Sequence, residues 1–352
     1  LIHFLRFLLL PFSFLYGLGV SLHQGLYFAG ILKPVRFNLP IICIGNLSVG
    51  GSGKSPHVEY LLRMLKEYLE VGVLSRGYKR KTSGFLFVQP DHTALDVGDE
   101  PKQMHTHFPD IPFAVSESRA MGIPRMLREF PETQLILLDD AFQHLAVEAG
   151  HNILLTEYAR PYTRDFLLPV GRLREWRYGA ARANTIIVTK CPENLHGEDM
   201  ERMRVELNPS KNQRIFFSTI DYGDPYHVFN PDKVFKINPG VHITLISAIA
   251  QSSYLEDYLD KHTASVNGFH FEDHHYFSES ELTGLVEHFS SISHSNKMLL
   301  TTEKDATRLM LFKEYFEKRN IDLYAIPIQV RFFEPELFEQ HIRNYLLEFK
   351  SR

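Results

Sequence analysis

Ile41-Ile-Cys-Ile-Gly-Asn-Leu-Ser-Val-Gly-Gly-Ser-Gly-Lys-Ser55 is an apolar run that breaks into a glycine-rich loop and ends on a lysine and a hydroxyl, where a helical pattern begins. Buried strand, glycine loop and helix in that register describe a phosphate cradle. Glycines let backbone N–H groups curl around phosphate, Lys54 can reach the β and γ phosphates, and the Ser55 hydroxyl can ligate Mg²⁺. The expected phosphate-binding set is Gly50, Gly51, Ser52, Gly53, Lys54 and Ser55. Strict spacing would put a further glycine at position 48, where the chain has Ser48, although Gly45, Gly50 and Gly51 stand close by. A purely structural glycine turn would not need the Lys-Ser pair at the mouth of a helix.

Outward from this loop, short runs rich in β-branched residues recur at Val71 to Leu74, Ile111 to Val115, Leu135 to Leu138, Ile153 to Leu155 and Thr185 to Val188. Helix-length segments separate them, which predicts a mostly parallel α/β sheet of the P-loop NTPase type flanked by helices. A second series, with strands at His242 to Ile246, Lys297 to Thr301 and Leu323 to Ile328 and helices at Glu279 to Ile292 and Pro335 to Phe349, predicts a smaller α/β domain. Turn chemistry at Tyr222-Gly-Asp-Pro225 and Asn230-Pro231 puts the boundary between them. The expected division is an amino-terminal segment (1–32), a nucleotide-binding domain (33–210), a linker (211–240) and a carboxyl-terminal domain (241–352).

The chain has 352 residues, long enough for two cores, with 38 Lys plus Arg against 42 Asp plus Glu and a formal charge of -4. That balance gives no global field for nucleic acid, so an anionic ligand must be met locally. Apolar residues at 44% and charged residues at 23% argue against disorder and against a polytopic membrane protein. Two cysteines, Cys43 and Cys191, preclude a disulfide framework and fit a reducing compartment. The amino terminus departs from this average: Leu1 to Leu32 is rich in Leu, Phe and Tyr, and its longest uncharged stretch runs from Phe7 to Ser21. This stretch is short of the roughly 20 apolar residues of a membrane span, and Pro11, Ser13, Gly17 and Gly19 weaken it further. The expectation is a helix lying at a bilayer surface, with an ordinary core helix as the alternative. No small-residue cleavage pattern marks it as a signal peptide, and the opening Leu1 suggests a trimmed or processed sequence.

Further chemistry lies at strand ends. Leu135-Ile-Leu-Leu-Asp139-Asp140 delivers two carboxylates to the end of an apolar run, where P-loop proteins hold Mg²⁺ directly or through water. Neighbouring carboxylates are costly to ionise together without a cation, although one of them could cap a helix. Ile186-Ile-Val-Thr189-Lys190 stands where a GTPase would read its base, but Cys191-Pro192 follows in place of the guanine-pairing Asp, so ATP is favoured. Asp96-Val-Gly-Asp99-Glu100-Pro101 sets carboxylates at a glycine turn, with helix capping as the simpler reading. Ser75-Arg76-Gly-Tyr-Lys-Arg-Lys81 and Gly171-Arg-Leu-Arg-Glu175 concentrate positive charge that suits phosphate or merely solvent. Phe269 to Tyr276 mixes aromatics, carboxylates and imidazoles, which suits a metal, acid–base work or surface packing.

Taken in order, these motifs resemble those of the tetraacyldisaccharide 4′-kinases, the lipid A 4′-kinases of Gram-negative bacteria. The resemblance is carried by the apolar amino terminus, Gly45 to Pro56, Ser75-Arg-Gly-Tyr78, Gly98-Asp-Glu-Pro101, Asp139-Asp-Ala-Phe-Gln-His144, Asp273-His-His275 and Thr302-Glu-Lys-Asp305. It covers residues 1 to about 310, with Ala141 where the family usually has Gly. It implies transfer of the ATP γ-phosphoryl group to the 4′-hydroxyl of a tetraacylated glucosamine disaccharide 1-phosphate, at the cytoplasmic face of the inner membrane. Lys54 would then neutralise phosphate charge, Ser55, Asp139 and Asp140 would hold Mg²⁺, and Asp99 would be the base, tuned by His274. Because those two lie in different domains, cleft closure would complete the site. Arg76, Arg119, Gln143 and Glu175 are the residues expected to grip the glucosamine and phosphate headgroup. No nucleic acid and no obligate protein partner is implied. The competing reading is a P-loop nucleotide-driven switch or metallochaperone, against which the missing guanine recognition and the apolar amino terminus both count.

Overall fold

The computed structural model describes residues 2–349, apart from the side chains of residues 2–7; residue 1 and residues 350–352, the outer ends of the expected first and last segments, lie outside the described residues. Two sheets organise the chain. The larger has nine strands in the order Ile328–Phe332, Arg214–Tyr222, Thr185–Thr189, His151–Glu157, Ile41–Asn46, Leu135–Asp139, Val71–Ser75, Phe113–Val115 and Leu86–Phe87. The inner seven run parallel and the two outermost strands pair antiparallel. The short apolar runs form its centre: every residue of Ile41–Asn46, Val71–Ser75, Leu135–Asp139 and Thr185–Thr189 is buried, as expected of strands covered on both faces.

Strand order fixes where chemistry can occur. Ile41–Asn46 lies between Leu135–Asp139 and His151–Glu157, with Ile44 opposite Asp139 in register. The glycine loop and the Asp pair therefore leave the sheet side by side, at carboxyl ends of parallel strands, where such sheets bind ligands. The loop feeds a helix, Lys54–Leu65, that buries Val58, Leu61, Leu62 and Leu65 on the sheet at helical spacing. Each such side chain contributes about 1.5–3 kcal/mol of burial, so the loop is anchored on a rigid element.

The smaller sheet has six strands, Asn230–Val234, Tyr226–His227, Leu323–Ile326, Lys297–Thr302, His242–Ser247 and Ser265–His270. Leu282, Leu285, Val286 and Phe289 of the helix Glu279–Ser291 pack on it with Leu309 and Phe316. The expected linker 211–240 is corrected at both ends: Arg214–Tyr222 is a full strand of the large sheet and Tyr226–His227 already belongs to the small one. The turn at Gly223 was legible, but the apolar Ile215–Phe217 before it is a strand of the first unit.

The expected carboxyl-terminal domain is corrected too, because the chain returns. Ile328–Phe332 pairs with Arg214–Tyr222, burying Val330 and Phe332 while Gln329 and Arg331 face outward. The helix Pro335–Glu348 then packs Phe338 and Ile342 into the large core, and Tyr345 donates to the Ile41 carbonyl at 3.3 Å.

At the other end, Ile2–Phe28 is one helix of 27 residues that runs through Pro11. Its inward side is small and polar. Ser13 donates to the Leu167 carbonyl, and the Trp176 indole donates to the Gly17 carbonyl at 3.1 Å. A Cβ at Gly17 would sit 2.4 Å from the Trp176 ring, so only glycine allows this approach. Leu8, Phe12, Phe14, Leu15, Leu18 and Leu22 face outward and are exposed. Among the described residues no helix is long and apolar enough to cross a membrane.

Candidate active site

A cavity of about 840 Å³ opens between the two units, and all six residues of the expected phosphate cradle, Gly50, Gly51, Ser52, Gly53, Lys54 and Ser55, line it. Gly53 has φ +85°, a conformation that suits glycine and turns the chain into the helix that follows. Ser48, the departure from strict spacing, forms a bridge to Leu173, while the Val49 N–H donates to the Arg172 carbonyl at 2.7 Å. The loop is thus braced from outside at that point. Lys54 Nζ lies 3.4 Å from Asn46 Oδ1 and 3.7 Å from Asp140 Oδ2, without a tight partner among the described residues.

Asp139 is fully buried. Its Oδ2 accepts from the Ser75 hydroxyl at 2.9 Å and its Oδ1 has no partner among the described residues. Burial, then the charges of Glu100 and Asp140, push its carboxyl well above the usual carboxylate range. Asp140 shifts oppositely. Burial would raise it, but Lys54 and Arg174 outweigh burial and hold it below that range, Arg174 at 2.8 and 3.3 Å. An orphaned, repelled carboxylate oxygen beside a hydroxyl and a second carboxylate is a donor set that a cation would relieve. Among the described residues no cluster of three His, Cys, Asp or Glu side chains forms a metal cage. Mg²⁺ does not require one, because it takes one or two carboxylates together with phosphate oxygens and water. Ser55, Asp139 and Asp140 fit that pattern.

The second centre joins the two units. His274 Nδ1 lies 2.8 Å from Asp99 Oδ2, although 175 positions separate them. Asp99 begins the helix Asp99–His107 of the first unit, and His274 sits in a loop of the second with φ +62°. Four of the six non-glycine residues with positive φ among the described residues, namely Lys79, Asp140, Lys190 and His274, line the cavity. Such strained backbone concentrates at functional sites. Arg308 also donates to Asp99 Oδ2 at 2.8 Å, and Lys304 lies 3.2 Å from both His274 Nε2 and Glu100 Oε1. Burial works against the charge on Asp99, but His274, Lys304 and Arg308 outweigh it and keep the carboxyl below its ordinary value. Asp99 is only 3% exposed and lies behind His274, which is the member of the pair that lines the cavity. His275 turns away, stacks on Phe271 and pairs with Glu281 at 3.1 Å, beside the cap of the helix Glu279–Ser291.

The expected headgroup residues separate into different environments. Arg76 is exposed at the cavity, and Gln143 lines it while donating to the Asn46 carbonyl and to Glu175 Oε1, each at 2.8 Å. Arg119 reaches the cavity wall, but its guanidinium donates to the carbonyls of Ser116, Asp139 and Asp140, which makes it a brace for the Asp pair. Glu175 is a correction. It is 0% exposed and accepts from Gln24 of the first helix, from Gln143 and from Arg182, so it ties that helix to the site rather than touching a ligand. Lys190, at the end of the run where a GTPase would read its base, pairs with Glu157 and Gln251 at 3.1 Å and lies 5.2 Å from the Tyr254 ring centre. Sequence reasoning missed Arg308 altogether and gave Lys304 no role. The available signal was the four-residue spacing that puts two cations on one side of a helix.

The family model described as tetraacyldisaccharide-1-P 4′-kinase matches residues 5–347. The chain is 43% identical over 350 residues to a tetraacyldisaccharide 4′-kinase of Bacteroides fragilis, covering 97% of this chain and 93% of that one. It is 40% identical over 349 residues to a protein of the same name from Flavobacterium johnsoniae, covering 98% of each. Among solved structures, the "apo" form of LpxK from Aquifex aeolicus in complex with ATP superposes with a TM-score of 0.73 at 26% identity, covering 97% of this chain and 99% of that one. With the cradle, Asp140 and His274 on one cavity and the match running nearly end to end, this chain belongs to the tetraacyldisaccharide-1-P 4′-kinase family.

Proposed function

We propose that the chain transfers the γ-phosphoryl group of ATP to the 4′-hydroxyl of a tetraacylated glucosamine disaccharide 1-phosphate, a step of lipid A biosynthesis. One observation carries this reading beside the family membership: a phosphate cradle on one unit and an acid–base pair spanning both open on the same cavity. A nucleotide switch needs the first and has no use for the second. In the transfer, the hydroxyl oxygen forms a bond to the γ phosphorus as the bond to the β-bridging oxygen breaks and ADP leaves; the hydroxyl proton passes to the Asp99–His274 pair. The loop N–H groups and Lys54 stabilise the charge that develops on the phosphoryl oxygens. Ser55, Asp139 and Asp140 would hold Mg²⁺, which would supply further neutralisation of that charge. Arg119 keeps the Asp pair in place, and Arg76 with Gln143 is offered to the sugar and its phosphate.

The exposed apolar side of the helix Ile2–Phe28 supports seating at the cytoplasmic face of the inner membrane, where a multiply acylated acceptor resides. Its polar inward side already has protein partners, so the outward side is the one left for lipid. ADP release measured with and without the tetraacyl disaccharide 1-phosphate, with the product's new phosphate located by mass spectrometry, tests the function. Release that ignores the acceptor would instead support the switch.

A further inference from the structure

The motif Thr302-Glu-Lys-Asp305 opens the helix Glu303–Leu309 and has no part in the transfer described above. Its lysine nevertheless reaches into the acid–base centre. Lys304 Nζ is 3.2 Å from His274 Nε2, 3.2 Å from Glu100 Oε1 and 3.5 Å from Asp273 Oδ1. An ammonium group has three donors and no acceptor. A ring nitrogen this close to it must present its lone pair, because an N–H there would point hydrogen at hydrogen.

The other side of the ring agrees. His274 Nδ1 faces Asp99 Oδ2 at 2.8 Å, and Arg308 already donates to that oxygen. Asp99 is therefore a carboxylate that accepts, which requires Nδ1 to carry the hydrogen. Burial disfavours charge on Lys304, but Glu100, Asp99 and Asp273 outweigh burial and hold its ammonium above the ordinary lysine value, so it remains the donor. The remaining groups around the ring are the Asp273 carboxylate, 3.7 Å from Nε2, and the Tyr78 ring, 5.1 Å away edge-on. Asp273 alone would favour a hydrogen on Nε2; Lys304 stands closer and opposes it.

From this arrangement we infer that Lys304 is a positioning residue: by donating to His274 Nε2 and bridging to Glu100, it fixes the imidazole as the neutral Nδ1–H tautomer, with an unprotonated Nε2 held by the ammonium on the cavity side. The inference rests on the proposed acid–base role of Asp99 and His274 for its functional meaning, but not for its physical content. An uncharged ring whose Nε2 carries no hydrogen is the form that can take a proton, once the acceptor hydroxyl displaces the Lys304 contact at that nitrogen, while Asp99 remains a fixed anion behind it. Because Lys304 and His274 come from the second unit and Glu100 and Asp99 from the first, the tautomer is set only when the two units are together.

The test is long-range ¹H–¹⁵N NMR on the full chain with ¹⁵N-labelled histidine, the His274 signals being identified by their loss in His274→Gln. Wild-type His274 is expected to show a protonated Nδ1 and an unprotonated Nε2 at pH 7. In Lys304→Met a proton is expected on Nε2, and Lys304→Arg, which also only donates, should restore the wild-type pattern. In parallel, Lys304→Met should lower kcat for the disaccharide by tenfold or more with KM for ATP within twofold, and Lys304→Arg should recover part of the loss. A proton on Nε2 in the wild-type spectrum overturns the inference without reference to any variant. An unchanged tautomer in folded Lys304→Met overturns it as well. Failure of the underlying reading is distinguishable, since full phosphoryl transfer by Asp99→Asn and His274→Gln would remove the acid–base role while the spectra still decide what Lys304 does to the ring.

Discussion

Asp139 illustrates how one residue can weaken the fold it serves. Its folded-state carboxyl is held above the unfolded value, so it binds a proton more tightly in the native protein, and its contribution to stability declines as pH rises past the ordinary carboxylate range. Asp139→Asn removes the repulsion from Glu100 and Asp140 and can still accept from Ser75. The expected result is a ligand-free melting temperature higher by about 2–4 °C at pH 8, a gain that shrinks toward pH 4, together with a kcat lower by on the order of 10²-fold or more. Calorimetry across pH and a steady-state assay check both parts, and a variant that melts lower at pH 8 would show the carboxylate to be satisfied by other means. Lys54→Ala separates differently. Because its contacts to Asn46 and Asp140 are long, kcat should fall by about 10²–10³ with little change in melting temperature. These residues were readable in the sequence because a strand followed by Gly-Lys-Ser, and another followed by Asp-Asp, leave few alternatives. The Asp99–Arg308 pairing and the buried place of Glu175 were not, since neither contact across more than 150 positions leaves a local pattern.

At the scale of elements, periodicity identified the buried strands and the helices Glu279–Ser291 and Pro335–Glu348, and it failed where one element serves the other unit. The strand Ile328–Phe332 alternates properly, but nothing in its composition says which sheet it joins. The first helix was judged by its apolar length, whereas its inward side is defined by what is small or polar: Ser13, Gly17 and Gln24. Phe14→Glu with Leu18→Glu should leave the melting temperature unchanged, since both side chains are exposed. Each forfeits about 2 kcal/mol of apolar burial in a bilayer, so partitioning to anionic vesicles should drop tenfold or more in a sedimentation assay. Equal partitioning would mean that another surface meets the lipid. The last helix depends on protons instead. His151 and His341 both bond the Thr185 hydroxyl through Nε2 at 2.9 Å. Burial, then the neighbouring His341, lowers the His151 value to about 3, and burial followed by Arg214 lowers that of His341. A depressed folded value gives stability that is present above the unfolded value of about 6.5 and lost as pH falls below it. Amide protection along Pro335–Glu348 should therefore fall between pH 7 and pH 4.5, and His151→Asn should flatten that dependence.

Across the whole molecule, the two units are joined by two chain crossings, Tyr222 to Tyr226 and Ile326 to Ile328, and one carboxylate touches both. Glu303 accepts from the Tyr226 hydroxyl at 3.2 Å and from the Ile328 N–H at 3.4 Å. It also faces His107 Nε2 at 3.3 Å, while His107 Nδ1 is 3.0 Å from Glu59 on the helix that follows the phosphate loop. His107 ends the helix that Asp99 begins, so this cluster sets the second unit against both the cradle and the acid–base pair. Burial alone would discharge His107, but Glu303 and Glu59 outweigh it and raise the imidazole to about 10. A raised folded value gives stabilisation that is complete below the unfolded value of about 6.5 and is lost as pH climbs toward the folded one. The cluster is accordingly a protonated clasp at neutral pH, and it weakens on the alkaline side. Hydrogen bonds to charged groups contribute about 1.5–3 kcal/mol, so Glu303→Gln should shift the closed-to-open ratio of the two units by roughly tenfold or more. Single-molecule energy transfer between dyes on the two sheets would read that ratio. Wild type should open progressively from pH 7 to pH 10, and the variant should start more open and respond less. Phosphoryl transfer should decline in step with the closed fraction, because Asp99 and His274 meet only when the units do. A closed fraction that is flat from pH 7 to pH 10 and equal in the two proteins would show that the units are held by their apolar contacts and the Asp99–Arg308 pair, with no contribution from the His107 proton.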